Sequence, residues 1–128
     1  MKKIIAIDVG NSETTVGVGN SDNWVSYRFT TRKTITSDEL LMMFKTIIDA
    51  KPLKENLIDG AIVCSVVPQI TNSVAMATSK FISKDAIVLG PGLKTGLKVN
   101  IDNPKELGPD RIANSIGGYI KTESSVIV

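Results

Sequence analysis

The 128 residues suffice for one compact domain with its own core, and 42% hydrophobic with 22% charged residues exclude a disordered chain. A net charge of +2, carried by basic residues scattered along the chain and not interleaved with aromatics, argues against a nucleic-acid surface. The absence of histidine excludes Ser-His and Cys-His nucleophile systems and histidine-based zinc sites, so acid–base chemistry falls to carboxylates or lysines.

Met1-Lys2-Lys3 is followed by an apolar run, Ile4 to Ile7, too short for the core of a signal peptide, and no stretch approaches the length of a membrane span. A cytoplasmic chain is expected. Ile4-Ile5-Ala6-Ile7 is β-branched and continuous, as in a buried strand. Glu13 to Val18 reads as a second strand, and Asn20-Ser21-Asp22-Asn23 as a turn. Trp24 to Thr31 alternates, with Trp24, Ser26, Arg28 and Thr30 on one face and Val25, Tyr27, Phe29 and Thr31 on the other. Three such strands in series predict an antiparallel meander.

Thr36-Ser37-Asp38-Glu39 has the spacing of a capping box, and Leu40, Leu41, Phe44, Ile47 and Ile48 follow on one helical face. That helix is expected to end before Pro52. Leu57 to Ser65 is strand-like, and Pro68 opens a helix with Ile70, Val74, Ala77 and Phe81 at helical spacing. Asp85 to Leu89 reads as a strand, Gly90 to Gly96 as a glycine-rich loop, and Asn100 to Gly108 as irregular. Pro109 opens a last helix striped by Ile112, Ile116 and Ile120, and Ser124 to Val128 begins another strand. The order βββαβαβ, then a helix and a strand, is a whole α/β unit followed by the first pieces of another. The chain stops inside an apolar run, so it is expected to be a fragment, or one half of a larger protein. The lone Cys64, in the run Ala61-Ile62-Val63-Cys64, is expected to pack as a small apolar side chain in a reducing compartment.

Three stretches could carry chemistry. In Asp8-Val9-Gly10-Asn11-Ser12, Gly10 lets a ligand approach the backbone, the turn amides can point at phosphate oxygens, and Ser12 and Thr14 can add hydroxyls. Asp8 could hold Mg²⁺ through water. The plainer reading is a turn whose Asp and Asn bond only to backbone. Gly90-Pro91-Gly92-Leu93-Lys94-Thr95-Gly96 lacks Walker spacing and is either a surface loop or a wall against a small ligand. In Glu106-Leu107-Gly108-Pro109-Asp110-Arg111, Pro109 places Asp110 and Arg111 in the first turn of a helix, where the dipole keeps a carboxylate ionised. Asp110 could accept a hydroxyl proton and Arg111 could bind an anion; the plain alternative is an ion pair between the two.

Together these segments resemble the type III pantothenate kinases. Asp8 to Ser12 looks like the family's first phosphate motif, Cys64-Ser65-Val66-Val67-Pro68 is similar to its Ser-Val-Val-Pro segment, and Gly92 to Gly96 and Asn103 to Arg111 follow in the family's order. The resemblance covers residues 4 to 128. It implies an α/β, ribonuclease-H-like domain of the acetate kinase, sugar kinase, Hsp70 and actin superfamily, with residues 1–118 as the first domain and 119–128 as the start of a second. It implies phosphorylation of pantothenate by ATP with Mg²⁺ and a monovalent cation, K⁺ or NH₄⁺, in a homodimer. Carried over by position, Asp110 matches the catalytic base, and Ile101, Gly108, Pro109, Asp110 and Arg111 match the pantothenate side. Asp8, Val9, Gly10, Asn11, Ser12, Glu13, Thr14 and Thr15 match the ATP side, with Asp8 toward the metal. Ile101 stands where many members carry an aromatic residue against pantothenate, and Ser12 where Thr is commoner. The resemblance implies that the 128 residues alone are inactive, because a second phosphate motif would follow Val128. Two alternatives stay open: a catalytically silent regulatory relative, and a superfamily kinase for another small hydroxylated substrate.

Overall fold

The structure, a computed structural model, describes residues 2–21, 23–50 and 58–128. β1 (Lys3–Val9), β2 (Glu13–Asn20) and β3 (Asn23–Thr30) form the expected antiparallel meander. α1 (Ser37–Asp49), β4 (Ile58–Ser65), α2 (Pro68–Ile82), β5 (Ile87–Val88) and α3 (Pro109–Thr122) follow. The five strands form one mixed sheet in the order β3-β2-β1-β4-β5. β4 joins β1 in parallel, which requires the crossover that α1 provides.

Alternation divides the sheet. Ile5, Ile7 and Val9 of β1, Val16 and Val18 of β2, and Ala61 and Val63 of β4 are buried. They share one core with Leu40, Phe44, Ile47 and Ile48 of α1 and Ile70, Val74, Ala77 and Phe81 of α2. Phe44 and Phe81 meet edge to face with ring centroids 6.0 Å apart, a geometry that aromatic rings prefer. The capping box forms: the Glu39 amide donates to the Thr36 hydroxyl at 3.2 Å, and the Thr36 amide to the Glu39 carboxylate at 2.9 Å. Pro68 occupies the first position of α2, and Ser83 ends that helix in the left-handed conformation.

Two expected strands are adjusted. Asp22, Leu57 and Pro52 lie outside the described residues. The strand expected over Asp85–Leu89 shortens to Ile87–Val88: among the described residues it pairs only with β4, and Gly90-Pro91 turns the chain away immediately afterwards. α3 runs unbroken through Gly117-Gly118 to Thr122. The run Ser124–Val128 is not a strand: it folds back on α3, where the Val126 methyls lie against Gly118.

The second face of the sheet presents Ala6 and Asp8, Thr15 and Gly17, Ile62 and Cys64. α3 approaches this face beside β4, and the loop 90–99 wraps toward the start of α3.

Candidate functional site

Asp8 sits near the carboxyl end of β1, directly paired with Thr15 of β2 and Cys64 of β4. Three adjacent strands therefore aim an acid, a hydroxyl and a thiol out of the same face. Asp110, in the first turn of α3, closes over them from the side. Between these groups lies a cleft of about 270 Å³ that also reaches Asn114, one helical turn beyond Asp110. Its floor is Ala6, Gly17 and Ile62, and the small size of the first two leaves the room.

The two carboxylates act on each other. Solvent reaches Asp8, yet the surrounding protein desolvates its carboxyl and raises its pKa above the ordinary 3.8. The Asp110 carboxylate pushes it further up, and the Cys64 thiol pulls weakly the other way. The Cys64 thiol itself is pushed up to about 12, chiefly by burial and then by Asp8 and Asp110. It is a neutral thiol at physiological pH, as the expectation of a small packed side chain requires. Its place beneath two acids was not foreseen.

Asp110 is held by its own backbone. Its Oδ1 accepts from the Arg111 amide at 2.9 Å, and the side chain lines the cleft. Gly108 is the helix N-cap, and a Cβ there would lie 2.6 Å from the same Oδ1. The carboxylate rests in space that only glycine leaves open.

The phosphate-motif turn spans Gly10 to Glu13 and is closed by the Gly10 amide donating to the Glu13 carbonyl at 2.9 Å. A Cβ on Gly10 would sit 2.9 Å from that carbonyl oxygen. Asn11 and Ser12 are exposed at the tip. Among the described residues their amides make no backbone hydrogen bond, so they remain available to an anion. Val9 is wholly buried and can contribute only its backbone. Glu13 turns sideways to Arg28, 3.6 Å away.

Thr14 departs from expectation. It is 7% exposed, on the core face with Val16, and its hydroxyl lies 2.8 Å from that of Thr31. The alternation of β2 gives the cleft Thr15 instead. On the other flank, Gly108, Pro109 and Asp110 stand together at the start of α3. Arg111 makes no ion pair with Asp110 and does not line the cleft. Ile101 is 49% exposed in the loop before Pro104 and does not line the cleft either. The glycine-rich loop, with Gly92 and Gly96 at φ of 91° and 80°, borders a separate hollow of about 250 Å³ with Lys105 and Ile112. Sequence reasoning missed Cys64 and Asn114; pairing β4 beside β1, and reading Asn114 as i+4 from Asp110, were the signals that would have placed them.

A five-stranded sheet in this order, with α1 and α2 packed on one face and an acid near the end of β1, has the ribonuclease-H-like architecture of the actin and Hsp70 fold. YeaZ from Pseudomonas aeruginosa shares this fold at a TM-score of 0.53, with 11% identity over 69% of this chain and 43% of that one. Within that class, the type III pantothenate kinase family model matches residues 4–128, and the chain belongs to that family. The type III pantothenate kinase of Exiguobacterium sp. is 36% identical over 126 residues, 98% of this chain and 50% of the relative. That of Bifidobacterium longum subsp. infantis is 38% identical over 98% of this chain and 49% of the relative. The chain spans about half the length of the curated relatives it matches.

Proposed function

We propose that the complete protein transfers the γ-phosphoryl group of ATP to the hydroxyl of pantothenate, giving 4′-phosphopantothenate for coenzyme A synthesis. The observation that carries this reading is the convergence of Asp8 and Asp110 on one cleft beside the Gly10–Glu13 turn. Phosphoryl transfer needs little covalent help from protein; it needs alignment, charge neutralisation and a group to receive a proton. Asp110 fills the last role. Its Oδ1 is fixed by the Arg111 amide, and the carboxylate lines the cleft where an incoming hydroxyl would lie. The outward amides of the turn and the Ser12 and Thr15 hydroxyls receive phosphate oxygens. Gly108 and Pro109 set the wall on which pantothenate lies, and Arg111 and Ile101 sit at its outer margin.

The donor set fits Mg²⁺. Two oxygen acids converge, with no third acidic or thiolate ligand in a cluster among the described residues, and Mg²⁺ keeps several waters and takes phosphate oxygens in preference to an all-protein cage. Bound there, it would supply charge neutralisation at the phosphates, and Asp8 would hold it. The raised pKa of Asp8 agrees with a site that gains stability when a cation replaces the proton. A monovalent cation, K⁺ or NH₄⁺, a homodimer and a cytoplasmic location belong to the same reading by kinship with the family. No helix among the described residues is long and apolar enough to cross a membrane.

The test is coupled ADP release by the full-length gene product with pantothenate, Mg²⁺-ATP and K⁺. Turnover is expected, and Asp110→Asn is expected to lower kcat by about 10²–10⁴-fold, the usual contribution of a general base. A folded full-length protein that is inert with pantothenate would overturn the reading and favour another acceptor or a silent relative.

A further inference from the structure

The turn must present its amides at a fixed angle, and the single Gly10-to-Glu13 bond does not set that angle. Thr31, the first residue after β3, adds two more constraints. Its amide donates to the Ser12 carbonyl at 2.9 Å, and its hydroxyl donates to the Gly10 carbonyl at 2.7 Å. The Thr14 hydroxyl lies 2.8 Å from the Thr31 hydroxyl. Thr31 has one hydroxyl proton and gives it to Gly10, so Thr14 is the donor of that pair. A directed chain runs from Thr14 O–H to Thr31 O–H to Gly10 C=O.

The consequence follows from peptide geometry. In a trans peptide the carbonyl and the next N–H point in opposite directions within one plane, and the chain has no cis bonds among the described residues. Drawing the Gly10 carbonyl toward Thr31 therefore turns the Asn11 amide to the opposite side. Gly10 has no Cβ to resist rotation, so the plane swings freely if the carbonyl is released.

The geometry points to Thr31 as a positioning residue for the phosphate turn: its hydroxyl fixes the Gly10–Asn11 peptide plane and so aims the Asn11 amide at an incoming nucleotide phosphate. Thr14 acts behind it, as the donor that orients the Thr31 hydroxyl, and touches no ligand. This rests on the proposal that the turn receives ATP phosphates.

The experiment compares wild type, Thr31→Val, Thr31→Ser and Thr14→Val in the full-length protein. KM for ATP and KM for pantothenate are measured separately, with Mg²⁺-ATP binding followed by calorimetry. Thr31→Val is expected to raise KM for ATP about tenfold, the effect of losing one oriented hydrogen bond, with KM for pantothenate within twofold. Thr31→Ser should recover most of the loss. Thr14→Val, which keeps the Gly10 bond, should raise KM for ATP only about threefold. A purely structural role would lower the active fraction and leave both KM values alone. Unchanged KM for ATP in Thr31→Val, or equal changes for both substrates, overturns the inference; if Thr31→Val does not fold, an unchanged KM for ATP in Thr14→Val does so. If wild type is inert with pantothenate yet binds Mg²⁺-ATP, and Thr31→Val weakens that binding, the acceptor is wrong and the role of Thr31 stands. If wild type binds no nucleotide, the role of Thr31 falls with it.

Discussion

Gly108→Ala separates the position of the Asp110 carboxylate from its presence. The new Cβ would lie 2.6 Å from Asp110 Oδ1, 3.7 Å from its Cγ and 4.0 Å from a Val66 methyl. Ordinary contact begins at 3.4 Å, so the carboxylate oxygen has to retreat by about 0.8 Å. The backbone has no reason to follow: Gly108 has φ −61° and ψ 142°, a region open to alanine. Alanine is a poorer N-cap than glycine but restricts the unfolded chain, and the two effects, each under about 1 kcal/mol, oppose one another. Stability should therefore stay within about 0.5 kcal/mol of wild type. A reacting group misplaced by about 1 Å can cost up to about 10²-fold in rate, so kcat should fall roughly 10- to 100-fold. The assay is coupled ADP release beside a thermal melt, both on full-length protein. An unchanged kcat in Gly108→Ala would refute the argument that Asp110 acts from this position.

Asp8 gives a pH prediction with a definite sign. Its folded pKa is raised, so the folded state holds the proton more tightly than the unfolded chain, and stability falls as pH rises from about 3.8 through the elevated value. Asp8→Asn should accordingly melt higher than wild type at pH 7 while losing activity; a lower melting temperature would contradict the desolvation of Asp8. The acid limb of the pH–rate profile should shift downward in Asp110→Asn, because the like charge that helps raise Asp8 is gone. Cys64, with its thiol at about 12, should resist alkylation at pH 8 in the folded protein and react once denaturant is added. Thr36→Ala removes the hydroxyl that accepts from the Glu39 amide and should cost about 1 kcal/mol in a denaturant melt, with KM for ATP unchanged.

Local signals in the sequence were strong where one residue type has one job. Asp8 at the end of a β-branched run, glycine in the turn after it, and proline at the first position of α3 were each legible from their neighbours. The meander, the core faces of α1 and α2, and the capping box followed from period and spacing. What stayed hidden depended on distant pairing. Asp8 stands beside Cys64 only because β4 runs parallel to β1 in a particular register, and an apolar run around a cysteine reads as core whichever face the thiol takes. Thr14 and Thr15 are chemically alike, and only the phase of β2 decides which one meets the cleft. The short runs at 85–89 and 124–128 had strand composition, but composition does not record which run finds a partner strand.

The two acids are mounted on supports of unequal firmness. Asp8 belongs to the central strand, bonded on both sides, with Val9 and Val63 wholly buried beside it. Asp110 belongs to α3, which has no buried residue. In this chain α3 should open at lower free energy than β1, so its amides should exchange with solvent first. A ligand that bridges both carboxylates would then tether a loose helix to a rigid sheet. Part of its binding free energy would go into ordering α3, and the affinity observed would understate the strength of the contacts made.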